Sequence, residues 1–165
     1  MVNTLSILII FLYMISFSLN GGIMKYVIVY WSRYGNGKKV VTHLAEKLKS
    51  KGAETQMFTT DEADPTSMPA ADYYIFSAPA EVFNVQRNMR KFMKKLDRMQ
   101  DKKYGIINTH SMNRNWLGKM EKLLLKKDMV KIADVDFKVG KEANTGNALM
   151  DDWETKLDEF VTKLK

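Results

Sequence analysis

From Tyr26 to Tyr30 the chain is an unbroken run of β-branched and aromatic residues, YVIVY, a pattern that suits a strand buried on both faces. The run stops at Ser32-Arg33-Tyr34-Gly35-Asn36-Gly37. Val40, Val41, Leu44 and Leu48 then fall on one face of a helix, which Lys51-Gly52 ends with a basic turn and a glycine. The alternation repeats along the chain. Ala53 to Phe58 predicts a second strand, Asp61 to Pro69 an acidic, proline-bearing loop, and Asp72 to Ser77 a third, buried strand. A helix is expected after Asn84, with Met89, Phe92, Met93 and Leu96 as its inward stripe. Tyr104 to Thr109 predicts a fourth strand, followed by a helix from about Asn115 with Leu117, Met120 and Leu124 inward. Val130 to Val139 predicts a fifth strand, and Met150, Trp153, Leu157, Phe160 and Leu164 line one face of a closing helix. Five strands alternating with helices make an α/β, doubly wound parallel sheet, with right-handed crossovers placing helices on both faces.

In such sheets ligands bind beyond the carboxyl ends of the strands. Three loops leave those ends: Ser32 to Gly37, Ala78 to Val85 and His110 to Asn115. The first joins a strand to a helix through a small polar turn, which directs backbone N–H groups and the positive end of a helix dipole at one spot and suits a phosphate. Lys38 and Lys39 in the helix's first turn oppose its dipole unless an anion sits nearby. An ordinary strand-turn-helix junction with solvated lysines is the alternative.

The 165 residues, 45% hydrophobic and 11% aromatic, make one domain with a normal core. No cysteine is present, which excludes disulfides, thiolate metal sites and cysteine nucleophiles, and the two histidines lack metal-ligand spacing. Ser111 has no base partner nearby in sequence, so no hydrolase triad is expected. Residues 1–23 stand apart: Leu5 to Leu19 is almost wholly apolar and no charged side chain precedes Lys25. The segment fits neither a signal peptide nor a full membrane span. It is expected to be an over-extended start ahead of a domain at 24–165, in a cytoplasmic protein; a membrane anchor through residues 4–23 is the alternative.

The three loops together resemble those of flavodoxins, the FMN-binding electron carriers. The likeness covers Lys25 to Lys165 and rests on the first-strand turn, the Ser77-Ala78-Pro79 turn and the Thr109-His110-Ser111 turn. It implies a sheet of strand order 2-1-3-4-5 with FMN as cofactor. By this resemblance Ser32, Arg33, Tyr34, Gly35, Asn36 and Gly37 hold the phosphate. Ala78, Pro79, Ala80, Glu81, Val82 and Phe83 flank one side of the flavin ring, and Thr109, His110, Ser111, Met112, Asn113 and Trp116 the other. Phe83 and Trp116 are the available ring-stacking aromatics, while Trp31 continues a buried strand and reads first as core. Two positions depart from the family pattern. Gly37 stands where flavodoxins commonly carry a phosphate-binding Thr, and the second loop lacks the Gly whose peptide flip stabilises the half-reduced flavin in many of them.

Flavodoxins are typically acidic, whereas this chain is formally +7. Residues 84–131 carry 14 Lys and Arg against 4 Asp and Glu, so the basicity belongs to one region. Arg87, Arg90, Lys91, Lys94, Lys95 and Arg98, with Lys119, Lys122, Lys126 and Lys127, form either a solvated face or a docking surface near 87–127 for acidic redox partner proteins or an anionic membrane. Nucleic acid is not expected, because no aromatic platform interleaves the lysines. The resemblance leaves two flavin functions: an electron carrier, and an FMN-dependent oxidoreductase of the quinone reductase or protoporphyrinogen oxidase kind. A receiver-type signalling module is disfavoured, since Trp31-Ser32 and Ser77 occupy the positions where it needs acids.

Overall fold

The computed structural model describes residues 22–150 and 152–164. Apart from Gly22 and Ile23, the apolar extension read from the sequence lies outside the described residues. Strands β1 (Lys25–Tyr30), β2 (Glu54–Thr59), β3 (Tyr73–Glu81), β5 (Lys103–His110) and β6 (Val130–Lys138) form one sheet in the order β2-β1-β3-β5-β6. Every neighbouring pair on that path is parallel. Each strand except the edge strand β2 is fed back by a helix: α1 (Asn36–Ser50), α2 (Arg87–Lys95), α3 (Leu117–Leu125) and α4 (Trp153–Lys163).

The alternation of side chains along the buried strands sorts the core into two layers. Tyr26, Ile28, Tyr73 and Ile75 face Val40, Leu44, Leu157 and Phe160, so α1 and α4 cover one side of the sheet. Val27, Val29, Tyr74 and Phe76 face Met89, Phe92, Met120 and Leu124, so α2 and α3 cover the other. The helix stripes expected from the sequence are buried, with two exceptions: Leu117 is only half-buried, and Met150 precedes α4 and is exposed.

The five parallel strands follow the expected order, but the sheet has a sixth member. β3 runs four residues past the expected end at Ser77, then turns back into a two-residue antiparallel strand β4 (Asn84–Val85). Part of the expected loop Ala78–Val85 is therefore a hairpin. Its tip places Val82 and Phe83 at φ 45° and 57°, the left-handed pairing of a two-residue hairpin turn, here without glycine or asparagine. Among the described residues no helix is long and apolar enough to cross a membrane.

Candidate functional site

The strand order reverses direction between β1 and β3, and the loops leaving these two strands diverge there to open a crevice. A cleft of about 260 Å³ occupies it. Its first wall is the β1–α1 turn, contributing Ser32, Arg33, Tyr34, Asn36 and Gly37. Gly35 sits at the helix N-cap with φ 97°, a left-handed conformation that glycine adopts without a Cβ penalty. The first intrahelical bond runs from Lys39 N–H to Gly35 C=O at 2.8 Å. The N–H groups of Asn36, Gly37 and Lys38 therefore precede the helical ladder, and no side chain caps them among the described residues. Ser32 Oγ accepts the Gly35 N–H at 3.2 Å, which leaves its own proton free to donate. A Cβ on Gly37 would stand 3.4 Å from that Oγ, so the position keeps the backbone close to the serine hydroxyl.

The lysines of the first helical turn do not complete this donor set. Lys39 Nζ donates to Asn147 Oδ1 at 2.9 Å and lies 5.4 Å from the Trp153 ring centroid, and Lys38 is solvent-exposed. Positive potential at the turn comes from backbone amides and the dipole of a 15-residue helix.

Pro79, Ala80, Glu81 and Val82 supply the second wall from the β3–β4 hairpin, and Thr109, His110 and Ser111 the third from the end of β5. Arg33 and Glu81 form an ion pair across the mouth, joining the first and second walls. Asn108, fully buried, ties the second and third: its Nδ2 donates to Ala78 C=O at 2.8 Å, and its Oδ1 accepts the Trp116 N–H at 2.9 Å. His110 is held on both sides, with Nε2 2.6 Å from Asp136 Oδ2 and Nδ1 2.5 Å from Met112 C=O. Both neighbours are acceptors, so the two contacts fix the ring's orientation at the end of β5.

Six of the expected site residues lie elsewhere. Gly35 shapes the turn from behind, and Ala78 is buried in the α2/α3 layer. Phe83, Met112 and Trp116 line a neighbouring hollow of about 120 Å³ that shares Ala80, Glu81, Val82 and Ser111 with the cleft. There Arg114 and Lys119 stack over Trp116 at 4.5 and 4.7 Å, while Phe83 stands 68% exposed at the hairpin tip. Asn113 accepts from Lys138 Nζ at 3.0 Å. The aromatic ring that lines the main cleft is instead Trp31, half-buried, with Tyr34 beside it.

A fourth wall had no counterpart in the sequence reading. After β6 the chain passes through Val139 and a single 3₁₀ turn (Ala143–Thr145) before α4, and Val139 and Ala143 line the cleft. Asn36 clamps this strap from α1: its Nδ2 donates to Ala143 C=O at 2.6 Å, and its Oδ1 accepts the Ala148 N–H at 3.0 Å. Gly146, at φ 75°, lets the strap pass so close that a Cβ there would stand 2.4 Å from the Tyr34 carbonyl oxygen.

A sequence model of the family described as "Flavodoxin domain" matches residues 27–141, most of the chain. The chain belongs to the flavodoxin family. Solved structures agree on the fold. An archaeal flavodoxin superposes with a TM-score of 0.64 at 15% identity, covering 86% of this chain and 100% of its own. The two-electron reduced flavodoxin of Megasphaera elsdenii gives 0.66 at 16%, covering 84% and 96%. The rubredoxin oxygen:oxidoreductase of Desulfovibrio gigas gives 0.64 at 16%, covering 85% of this chain but 37% of its own, so there the fold is one part of a larger protein. No curated protein matches the sequence. Flavodoxin-family membership implies a flavin-binding domain.

Proposed function

We propose that this chain binds FMN in the cleft at the β1/β3 switch point and serves as an electron-transfer flavodoxin. The observation that carries this reading is the uncapped start of α1, where three N–H groups precede the helical ladder beside the Ser32 hydroxyl, no acid lies in the first turn, and the carboxylate of Glu81 in the cleft wall is paired with Arg33. That donor set suits a terminal phosphate. The slot between the β3–β4 hairpin and the end of β5 suits a flat ring, with Trp31 and Tyr34 on its border. Bound there, FMN would supply one- and two-electron redox chemistry. The chain's own residues bind and orient: Ser32 and the α1 amides anchor the phosphate, while the Asn36 clamp and the Arg33–Glu81 pair hold the walls at a fixed spacing. Acidic redox proteins are the proposed partners, meeting cations of the basic region 87–127 such as Arg87, Arg114 and Lys119.

One observation favours a second reading, an FMN-dependent oxidoreductase. His110 lines the cleft with Asp136 behind it, an arrangement that can hold a proton beside a flavin, as direct reduction of a quinone-type substrate would require and simple electron relay does not. Direct quinone reduction by NAD(P)H separates the two.

The test of the main reading is titration of the full chain with FMN and with riboflavin, which lacks the phosphate. Ser32→Ala removes a hydrogen bond to a charged group, worth about 1.5–3 kcal/mol, and is expected to weaken FMN roughly tenfold to hundredfold while leaving riboflavin unchanged. Equal losses for both ligands, or a folded chain that ignores FMN, would overturn the assignment.

A further inference from the structure

The end of the sheet opposite the cleft has a character of its own. Helices in this fold run antiparallel to the strands, so the last turns of α1, α2 and α3 gather where the strands begin. Lys49 and Lys51 end α1, Lys94 and Lys95 end α2, Lys102 precedes β5, and Lys126 follows α3. All six are exposed, and none has an ion-pair partner among the described residues. Glu54, Asp72, Asp97, Asp101 and Asp128 share the surface, but Glu54 is paired with Lys25 and Asp128 with Arg98, so the remaining acids do not balance the six lysines. Lysines at helix C-termini interact favourably with the dipole, so this arrangement costs the fold nothing.

Apolar residues accompany the charge. Ile23, Met24, Leu125 and Val130 are exposed at this same end. Between α1 and α4 an apolar groove of about 480 Å³ opens beside Met24, Tyr26, Leu48, Val161 and Leu164. The chain enters the domain here, at Gly22, preceded by 21 residues without a charged side chain and mostly apolar from Leu5 to Leu19. Free lysines and exposed apolar side chains at one end of the sheet, where the chain also enters the domain from an uncharged, mostly apolar sequence, match one kind of surface: phosphate headgroups over hydrocarbon.

We infer that the strand-start end of this domain docks on an anionic lipid bilayer, with the lysines on the headgroups and the cleft facing away from the membrane. Acidic proteins and nucleic acids also carry negative charge, but neither accounts for the apolar residues and the apolar leading segment. The inference does not depend on which ligand fills the cleft. A strand of eight residues spans about 26 Å, so the cleft is several Debye lengths of about 8 Å from the lipid and stays open to partners.

The experiment is co-sedimentation of the full chain with phosphatidylcholine vesicles and with vesicles also containing phosphatidylglycerol, over a salt series. One variant carries Lys94→Glu, Lys95→Glu, Lys102→Glu and Lys126→Glu. A second makes the same change in net charge at the cleft end: Lys38→Glu, Arg87→Glu, Lys119→Glu and Lys141→Glu. Circular dichroism and thermal midpoints establish that both remain folded. Binding is expected to require phosphatidylglycerol and to fall with salt. It should drop at least several hundredfold in the first variant, given a contribution of about fivefold for each of the four cations, and by far less in the second. Three results would overturn the inference: equal binding to uncharged vesicles with no effect of the reversals, equal losses in the two variants, or no vesicle binding while the first variant alone loses affinity for an acidic protein or a DNA fragment.

Discussion

At the carboxyl end of the sheet, most basic side chains at the cleft are held, Arg33 by Glu81, Lys39 by Asn147, His110 by Asp136 and Lys138 by Asn113, with Lys38 an exposed exception, whereas at the amino end Lys25 and Arg98 are paired but Lys49, Lys51, Lys94, Lys95, Lys102 and Lys126 stand without ion-pair partners among the described residues. The contrast follows from what each end has to do. A small cleft recognises its ligand through donors fixed to within a fraction of an ångström, so side chains that could swing into it are tethered and the recognising groups are backbone amides. A surface that meets a broad partner needs charge density, for which long, mobile lysines suffice. Substitutions of a single atom group should therefore matter at the first end and be tolerated at the second.

The largest effect is expected where the strap crosses the first turn. Gly146→Ala forces a side chain into the left-handed region and drives its Cβ against the Tyr34 carbonyl, which cannot retreat without opening the turn. The expected loss of stability is about 2–4 kcal/mol, accompanied by a loss of FMN affinity. Gly105→Ala sharpens the comparison. Its Cβ would meet the ends of Phe160 and Ile75 at 2.8 and 2.9 Å in the core below the cleft. Those flexible tips can give way, so a loss of about 1–3 kcal/mol is expected with FMN affinity in the folded protein unchanged. Denaturant midpoints alongside FMN titrations check both; equal damage to FMN binding by the two substitutions would show that the strap has no special hold on the site.

A smaller effect is expected at the clamp. Asn36→Ala removes two hydrogen bonds that join α1 to the strap and should cost about 1–2 kcal/mol. Because the strap is a wall of the cleft, FMN affinity should fall and limited proteolysis should cut faster between residues 140 and 148. Asn36→Asp keeps the acceptor for Ala148 N–H but turns a buried carboxylate onto the Ala143 carbonyl and adds negative charge beside the proposed phosphate site, so its FMN affinity should fall at least as far as that of Asn36→Ala. A proteolysis pattern unaltered in both variants would mean that other contacts hold the strap.

These positions mark how far the sequence can be read. Buried strands and amphipathic helices announce themselves by period, because each residue's environment is set by near neighbours; hence YVIVY, DYYIFS and the Met89–Phe92–Met93–Leu96 stripe sit where expected. The Ser32 to Gly37 turn was legible for the same reason, since strand, turn and helix start are contiguous. The β3–β4 hairpin was not, because Val82-Phe83 takes up the left-handed turn without the glycine or asparagine that ordinarily signals it. Nor was the strap: the bonds that bring it to the cleft span 107 and 112 residues, and Thr145-Gly146-Asn147 reads only as a turn until Asn36 is seen beside it. Phe83 and Trp116 were read as ring-stacking aromatics from their loops. Phe83 leaves the main cleft because the same hairpin carries it outward at its tip, and Trp116 because Asn108 fixes it at the start of α3, beside the neighbouring hollow.

The smallest effect tests an exception at the amino end, where one polar group is buried rather than free. Tyr104, the second residue of β5, is fully buried, and its hydroxyl has no hydrogen-bond partner among the described residues. Desolvation, reinforced by the nearby Glu121 carboxylate, pushes its pKa from 10.0 up to about 12. Removing an unsatisfied buried hydroxyl relieves its desolvation penalty but leaves a small void, so Tyr104→Phe should change stability near neutral pH by no more than about 1 kcal/mol, in the stabilising direction. The sign of the pH dependence is set by the raised value. The folded state holds the phenolic proton more tightly than the unfolded chain, so this contribution is complete below pH 10 and declines as pH rises towards 12. Tyr26 and Tyr74 are raised as well, so the wild-type decline has several sources, and the difference between wild type and Tyr104→Phe isolates the share of Tyr104. Denaturant midpoints at neutral pH and again between pH 10 and 12 should diverge in favour of the variant. Parallel curves across that range would mean that the hydroxyl finds a partner, most simply a bound water.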